Sequence, residues 1–322
     1  MNALSHHRTT LGIVALSVAT VFALAGCSSS SSTTSSDSSS SSTTVKAGTK
    51  GTDSLKVSAD AALAKKAAKV VPSGTLQVAT DASTPPYEFY EDGTQNLRGA
   101  DIDMANVIAA KLGLKIKINP IQFTGILPAI EAKRYDFAIS AMGDTPAREE
   151  VVDFVDYSTD SNAIVVPQGN PKKIKDLDSL CGLKVSALEG SVFLGLLQEQ
   201  DATCSDKMTI SIFQDINSAL LQVRTGRADA TMYQTGVALY LIKTTADAKD
   251  LQVITGKVYG EGYNAMPFAK SNSALRDAVQ KALVSLKADG TYDKVLKLWN
   301  LEPNAIDKIT VNDGLKYNQP SN

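Results

Sequence analysis

The sequence predicts an α/β protein, and three observations carry the prediction. From Thr75 onward, short runs with apolar residues at alternate positions take turns with longer runs at helical spacing. That rhythm restarts after Pro167-Gln168-Gly169-Asn170-Pro171, a cluster of loop-forming residues. The chain has 322 residues, room for one large or two medium domains at roughly 100–200 residues each. A sandwich would show strands alone and a bundle helices alone, so a sheet interleaved with helices is expected.

The N-terminus reads as an export signal over residues 1–26. Residues 1–8 are polar with one arginine, and residues 11–25 form an apolar run. That run is too short to span a bilayer comfortably and too abruptly ended for a core helix. It closes on Leu24-Ala25-Gly26-Cys27, which resembles the bacterial lipobox, whose cysteine is lipidated on sulfur and becomes the new N-terminus. The resemblance implies lipidation at Cys27; an uncleaved anchor with a chance cysteine is the alternative. Residues 27–52 follow as a Ser/Thr-rich tether, expected to be disordered because it has nothing to bury. The expected location is therefore extracytoplasmic, with a water-soluble body anchored to the cell membrane as a lipoprotein.

Charge and rare residues exclude several function classes. With 32 Lys and Arg against 34 Asp and Glu, the formal net charge is −2, which excludes a nucleic-acid binder carried by a strong positive field. Both histidines, His6 and His7, fall in the signal. Once it is removed, a His-based triad, a His metal cluster and an imidazole pH switch are all excluded. Outside Cys27 only Cys181 and Cys204 remain. An exported compartment favours their one possible disulfide, worth about 3 kcal/mol on the chain-entropy model. Two buried free thiols are the alternative.

The elements follow in order. Residues 53–73 read as a Lys- and Ala-rich helical lead-in that Pro72, Ser73 and Gly74 end. Residues 75–80 read as a strand with Leu76 and Val78 on one face. Asp101 is placed to cap a helix carrying Ile102, Ala105, Ile108 and Leu112, which Gly113 stops. Leu114, Ile116 and Ile118 alternate as a strand, Ile126, Leu127 and Ile130 mark a helix, and residues 136–140 a strand. In the second half, strands at 183–187, 209–213 and 229–232 alternate with helices at 191–200 and 216–225. A strand at 263–268, a helix at 273–287 and a short helix holding Tyr292, Val295, Leu296 and Trp299 complete the body, and residues 302–322 form a C-terminal tail. Residues 129–141 and 222–234 share a layout: helix end, Arg134 or Arg227, Asp136 or Asp229, then a short apolar strand. Two lobes of like construction fit that match, as does ordinary α/β punctuation.

Open α/β sheets bind ligands at strand carboxyl ends, where helix N-termini present free N–H groups. Four places have that character: the Pro85-Pro86 loop after Thr80, Ser140 to Arg148, Glu189-Gly190-Ser191, and Tyr233-Gln234-Thr235. In the second, Thr145 caps a helix with Pro146 at its first position, which puts Arg148 in the first turn. A cation there opposes the helix dipole, so a bound anion is expected; a salt bridge to Glu149 or Asp153 is the alternative. A carboxylate would satisfy Arg148 and the helix N-termini, and Asp81 could take a positive group. No phosphate loop, dinucleotide fingerprint or metal spacing is present, so no cofactor or metal is expected.

Four segments now fall into place. The run Gly74-Thr-Leu-Gln-Val-Ala-Thr-Asp81-Ala-Ser-Thr-Pro-Pro-Tyr-Glu-Phe resembles the opening of the family 3 extracellular solute-binding proteins, which serve ABC importers of polar amino acids. Gly99-Ala-Asp-Ile-Asp103, Asp144-Thr-Pro-Ala-Arg148-Glu-Glu-Val-Val-Asp153-Phe154 and Ala288-Asp-Gly-Thr-Tyr-Asp-Lys294 are similar to later family segments. The resemblance spans residues 74–301 and implies a two-lobed periplasmic-binding-protein type II fold, its lobes joined by two hinge strands and closing on a ligand. Lobe 1 would be residues 74–162 and 262–301, with lobe 2, residues 163–261, inserted. The resemblance also implies a monomer that hands its ligand to an ABC permease and ATPase complex.

Residue by residue, the resemblance implies that Arg148 binds the ligand α-carboxylate, that Asp81 lines the first-lobe side and that Phe123 packs on the ligand. Ser140 and Ala141 would receive the α-amino group through their backbone, Gly143 would contribute to the carboxylate site, and Gly190 and Ser191 would complete it from the second lobe. Three positions depart from the family pattern: Gln234 replaces the aspartate that pairs with the α-ammonium, Thr84 replaces an aromatic, and Val192 a hydroxyl donor. Glutamine cannot neutralise a buried ammonium, so an N-substituted amino acid or another small carboxylate competes with an ordinary α-amino acid as the expected ligand. A cyclic-carboxylate dehydratase on the same fold, with Asp81, Glu189 or Asp144 as acid or base, and a sensory or adhesive lipoprotein are the other readings.

Overall fold

The computed structural model describes residues 42–46, 54–244 and 248–314. The export signal, Cys27 and most of the tether lie outside the described residues.

Thr75–Thr80 is the centre of a parallel three-stranded sheet, flanked by Lys115–Pro120 and Phe137–Ala138. Its alternation sorts two faces. Leu76 and Val78 pack with Phe137, Ile108 and Leu283, whereas Ala79 and Ala138 pack with Ile126 and Ile130 of the helix Phe123–Glu131. The helix Ser273–Ala288 buries Leu275, Val279, Leu283 and Leu286 completely, as its helical spacing requires, each side chain contributing about 1.5–3 kcal/mol.

The second sheet has the order Thr209–Phe213, Lys184–Leu188, Ala230–Gln234, Val152–Pro167, Leu251–Val253. Its first two pairings are parallel and its last two antiparallel. Helices Val192–Thr203, Ile216–Arg224 and Thr235–Thr244 belong to this half. Cys181 and Cys204 form a disulfide with Cα atoms 5.5 Å apart, tying the start of this half to the end of its first helix.

The two halves are joined by strands that run through both. Val152–Pro167 is 16 residues long. From Val152 to Asn162 it pairs with Tyr259–Ala269, and from Asn162 to Pro167 with the strands of the second sheet. Asn162 is the switch point, opposite both Gln234 and Tyr259. Register shifts between Tyr259 and Gly262, opposite Asn162 and Asp160, and between Asn264 and Ala265, opposite Ser158 and Asp156, re-aim side chains as bulges do.

Several expectations need correction. The lead-in is not one helix: Ser54–Ser58 is a strand and only Ala61–Val70 is helical. Asp60 starts that helix, accepting the Ala62 and Leu63 N–H groups at 2.9 Å. Within the expected disordered tether, Ser42–Lys46 is a strand paired antiparallel with Ser54–Ser58. The segment from Glu302 is not a free tail up to residue 314. Ile306 and Ile309 are buried, and Val311 bridges Val155 of the long strand. Asp101 does not cap its helix, which begins at Ala100 after Gly99; its carboxylate is buried and serves the site described next.

Candidate functional site

The lobes meet at a cleft with about 670 Å³ of empty space, part of it open to solvent. Only about 60 Å³ of it admits the centre of a water molecule, so the facing walls lie close together.

The first wall grows from the ends of Thr75–Thr80 and Phe137–Ala138. Thr84, Phe123, Ser140, Ala141 and Gly143 line the cleft there, and Arg148 reaches in beside them. Thr145 caps the four-residue helix Pro146–Glu149, its Oγ1 accepting the Arg148 N–H at 3.4 Å. The Arg148 guanidinium donates to Gly143 O at 2.5 Å within its own lobe and to Gly190 O at 2.7 Å across the cleft, and it lies 5.8 Å from the Phe123 ring centroid. Burial pushes its pKa down to about 10, against the pull of Asp144, so it remains a cation at neutral pH. The alternative partners are engaged elsewhere: Asp153 pairs with Arg276 and Glu149 accepts the Gly314 N–H.

Ala141 has φ +41°, a left-handed conformation that costs an L-residue of order 1–3 kcal/mol. Buried carboxyls hold it there. Asp101 accepts the Ala141 N–H at 2.8 Å and the Tyr157 hydroxyl at 2.8 and 2.9 Å. Ser140 Oγ donates to Glu88 Oε1 at 3.0 Å and accepts the Asp81 N–H at 2.8 Å. Desolvation pushes Asp101 up to about 6, and desolvation together with Asp101 pushes Glu88 well above the ordinary carboxylate range.

The second wall is the start of Val192–Thr203. Ser191, Val192 and Phe193 face the cleft, and Ser191 Oγ caps the helix by accepting the Leu194 N–H at 3.1 Å. A Cβ on Gly143 would lie 3.0 Å from Val192 Cγ2, so glycine allows the first-lobe backbone to come this near the helix start. Gln234 projects from the end of Ala230–Gln234; its Nε2 donates to Ala141 O at 2.9 Å and to Asn264 Oδ1 at 3.0 Å.

Of the residues singled out from the sequence, the cleft brings together Thr84, Phe123, Ser140, Ala141, Gly143, Arg148, Ser191, Val192 and Gln234. Asp81 is not among its lining residues; its carboxylate accepts the Ser83 hydroxyl at 2.8 Å. Gly190 is present only through its carbonyl. Sequence reasoning missed Asp160 and Asn264 as cleft residues and the buried Glu88 and Asp101 behind it. For Asp160 a signal existed: Ser158-Thr159-Asp160-Ser161-Asn162 is an unbroken polar run inside a strand whose other charged residues, Asp153 and Asp156, stand singly. Desolvation pushes Asp160 up to about 6, and desolvation with Asp156 and Glu149 nearby pushes Asp144 up to about 9. Among the described residues no His, Cys, Asp and Glu group could hold a metal ion.

These raised carboxyls fix the sign of the pH dependence. Each holds a proton in the folded state that the unfolded chain has already released, so stability falls as pH rises through the window. The window runs from 3.8 to about 6 for Asp101 and Asp160 and to about 9 for Asp144. The melting temperature is expected to be higher at pH 5 than at pH 8; the reverse order would contradict these assignments.

The chain is similar to known proteins. The L-cystine-binding protein TcyJ of Escherichia coli (strain K12) is 28% identical over 247 residues, covering 76% of this chain and 89% of that protein. The arginine-binding extracellular protein ArtP of Bacillus subtilis (strain 168) is 29% identical over 227 residues, covering 70% and 85%. The solved structure of an ancestral arginine-binding protein bound to arginine superposes with a TM-score of 0.65 at 35% identity, covering 70% of this chain and 98% of that one. The fold is thus the mixed α/β, two-lobed type II fold. The sequence profile of the bacterial extracellular solute-binding proteins, family 3, matches residues 76–302, and with cleft, hinge strands and relatives in agreement, the chain belongs to that family.

Proposed function

We propose that this chain is the lipid-anchored, extracytoplasmic substrate-binding protein of an ABC importer, capturing an amino acid or amino-acid-like carboxylate by lobe closure. The observation that carries the reading is Arg148. Its guanidinium stands at the seam, bonded to a carbonyl from each lobe, so a carboxylate drawn to it would contact both walls at once. A ligand touching both lobes favours the closed state by its differential affinity, and the permease reads that state.

The relatives named for binding cystine and arginine support amino-acid-like cargo. The lipobox supports attachment through Cys27, and the switch of strand pairing at Asn162 supports lobes of residues 74–162 with 262–301 and of residues 163–261. A thermal-shift screen of the full chain against amino acids, their N-substituted derivatives and small dicarboxylates tests the reading. At least one member is expected to raise the melting temperature in a saturable manner, whereas a screen without any response would contradict it.

A further inference from the structure

Residues 303–314 lie beyond the family-matched span of residues 76–302, yet their last part is bonded into both the hinge strand and the loop that carries Arg148. The Asp156 N–H donates to Thr310 O at 3.1 Å, Thr310 Oγ1 donates to Asp156 Oδ2 at 2.7 Å, and Asn312 Oδ1 accepts the Phe154 N–H at 2.6 Å. At its end, the Gly314 N–H donates to Asp144 Oδ2 at 3.1 Å and to Glu149 Oε1 at 3.2 Å. Those two residues bracket the turn that holds Arg148. A Cβ on Gly314 would lie 2.7 Å from Asp144 O and 2.8 Å from Asp144 Cγ, so the close approach needs glycine.

Asp144 and Asp156 meet where loop, hinge strand and C-terminal segment join. They are 2% and 0% exposed, and each keeps one buried oxygen, Oδ1, without a donor. The two carboxyls are hydrogen-bond neighbours, and carboxylates cannot bond to each other unless one carries a proton. Two bare anions there would be desolvated and would repel; one proton supplies the missing donor and leaves a single charge. The other charged groups facing the pair are Glu149 and Arg148 at Asp144 and Asp313 at Asp156. Arg148 bonds to two carbonyls, while Lys270 and Arg276 pair with Asp153. Among the described residues no cation forms an ion pair with Asp144 or Asp156.

We propose that Asp144 and Asp156 share one proton, forming a latch that fixes the C-terminal segment and the hinge strand to the Arg148 turn and keeps Asp144 uncharged beside the guanidinium. Asp144, Asp156 and Gly314 are thus positioning residues for Arg148. The latch stands on these contacts; its bearing on binding rests on the reading of the cleft as a carboxylate site.

Thermal melts of the full, ligand-free chain from pH 5 to pH 10 test the shared proton. Asp144→Asn puts an N–H donor where the proton sits and cannot ionise. In the wild type, Asp144 holds a proton that the unfolded chain releases above 3.8, so the stability it loses grows with pH until about 9. The Asn variant lacks that loss and is expected to melt above wild type at pH 8, the gap widening from pH 5 to pH 9 and levelling beyond. Asp144→Ala, which offers Asp156 no donor, is expected to melt below Asp144→Asn throughout. A gap that does not change with pH, or an Asn variant that fails to fold or melts below wild type at pH 8, would overturn the shared proton. Gly314→Ala tests the strap through hydrogen exchange of the Asp144, Asp156 and Asn312 amides, which donate to Tyr263 O, Thr310 O and Phe154 O. Their exchange is expected to quicken at least about tenfold; unchanged rates would overturn the strap. None of these readouts uses a ligand, so their failure leaves the carboxylate site standing, and a ligand screen without a response leaves the latch standing.

Discussion

Arg148→Ala is expected to weaken ligand binding about a hundredfold or more while leaving the melting temperature of the ligand-free protein nearly unchanged. The asymmetry follows from what the guanidinium does. In the absence of ligand it bonds two carbonyls, Gly143 O and Gly190 O. The desolvation of the buried cation offsets what these two bonds return, so removing it costs the fold little. With a carboxylate bound, the same fork makes charge-assisted bonds, and losing one partner of such a pair costs about 2–5 kcal/mol. Arg148→Lys keeps the charge and loses the fork, so its affinity should fall between the two. Calorimetric titration and thermal melts on the three proteins check this; an unchanged affinity in Arg148→Ala would remove the carboxylate site.

Asp101→Ala carries the largest expected effect on stability, about 2–4 kcal/mol, because two buried donors, the Ala141 N–H and the Tyr157 hydroxyl, lose their acceptor at once. The consequence extends to function. Ala141 is held at φ +41° by that bond, and its carbonyl is the one Gln234 meets. Ligand affinity should therefore drop as well. Asp101 also raises the Glu88 pKa, so the fall in stability between pH 5 and pH 8 should flatten in the variant. Chemical denaturation at the two pH values measures both effects. A loss below about 1 kcal/mol with unaltered pH dependence would show that Asp101 is not the support of this segment.

What the sequence disclosed depended on whether a residue's role is local. Strand alternation at Leu76 and Val78, the helical stripe from Leu275 to Leu286 and the Thr145-Pro146 cap are written in neighbouring positions, and the structure has all three. Arg148 drew attention for a related reason: a cation in a first turn calls for a partner, and the structure gives it Gly143 O and Gly190 O at the end of a single-turn helix. The long strand Val152–Pro167 was not legible, because its centre, Thr159 to Asn162, is polar where it passes between lobes. Asp101 read as a cap since an acid before an apolar helix looks the same whether it faces solvent or a buried tyrosine. The partnership of Gln234 with Asn264 joins residues 30 apart in sequence and exists only once the hinge strands are in place.

The central claim is that a ligand carboxylate, drawn to Arg148, holds the two lobes together. Its most direct test is a calorimetric titration of the full chain with the strongest carboxylate ligand from the screen and with the primary amide of the same molecule. The two differ only in the charge and acceptor pattern that Arg148 would read. The carboxylate is expected to bind at one site per chain and the amide at least about a hundredfold more weakly, whereas equal affinities would contradict the claim.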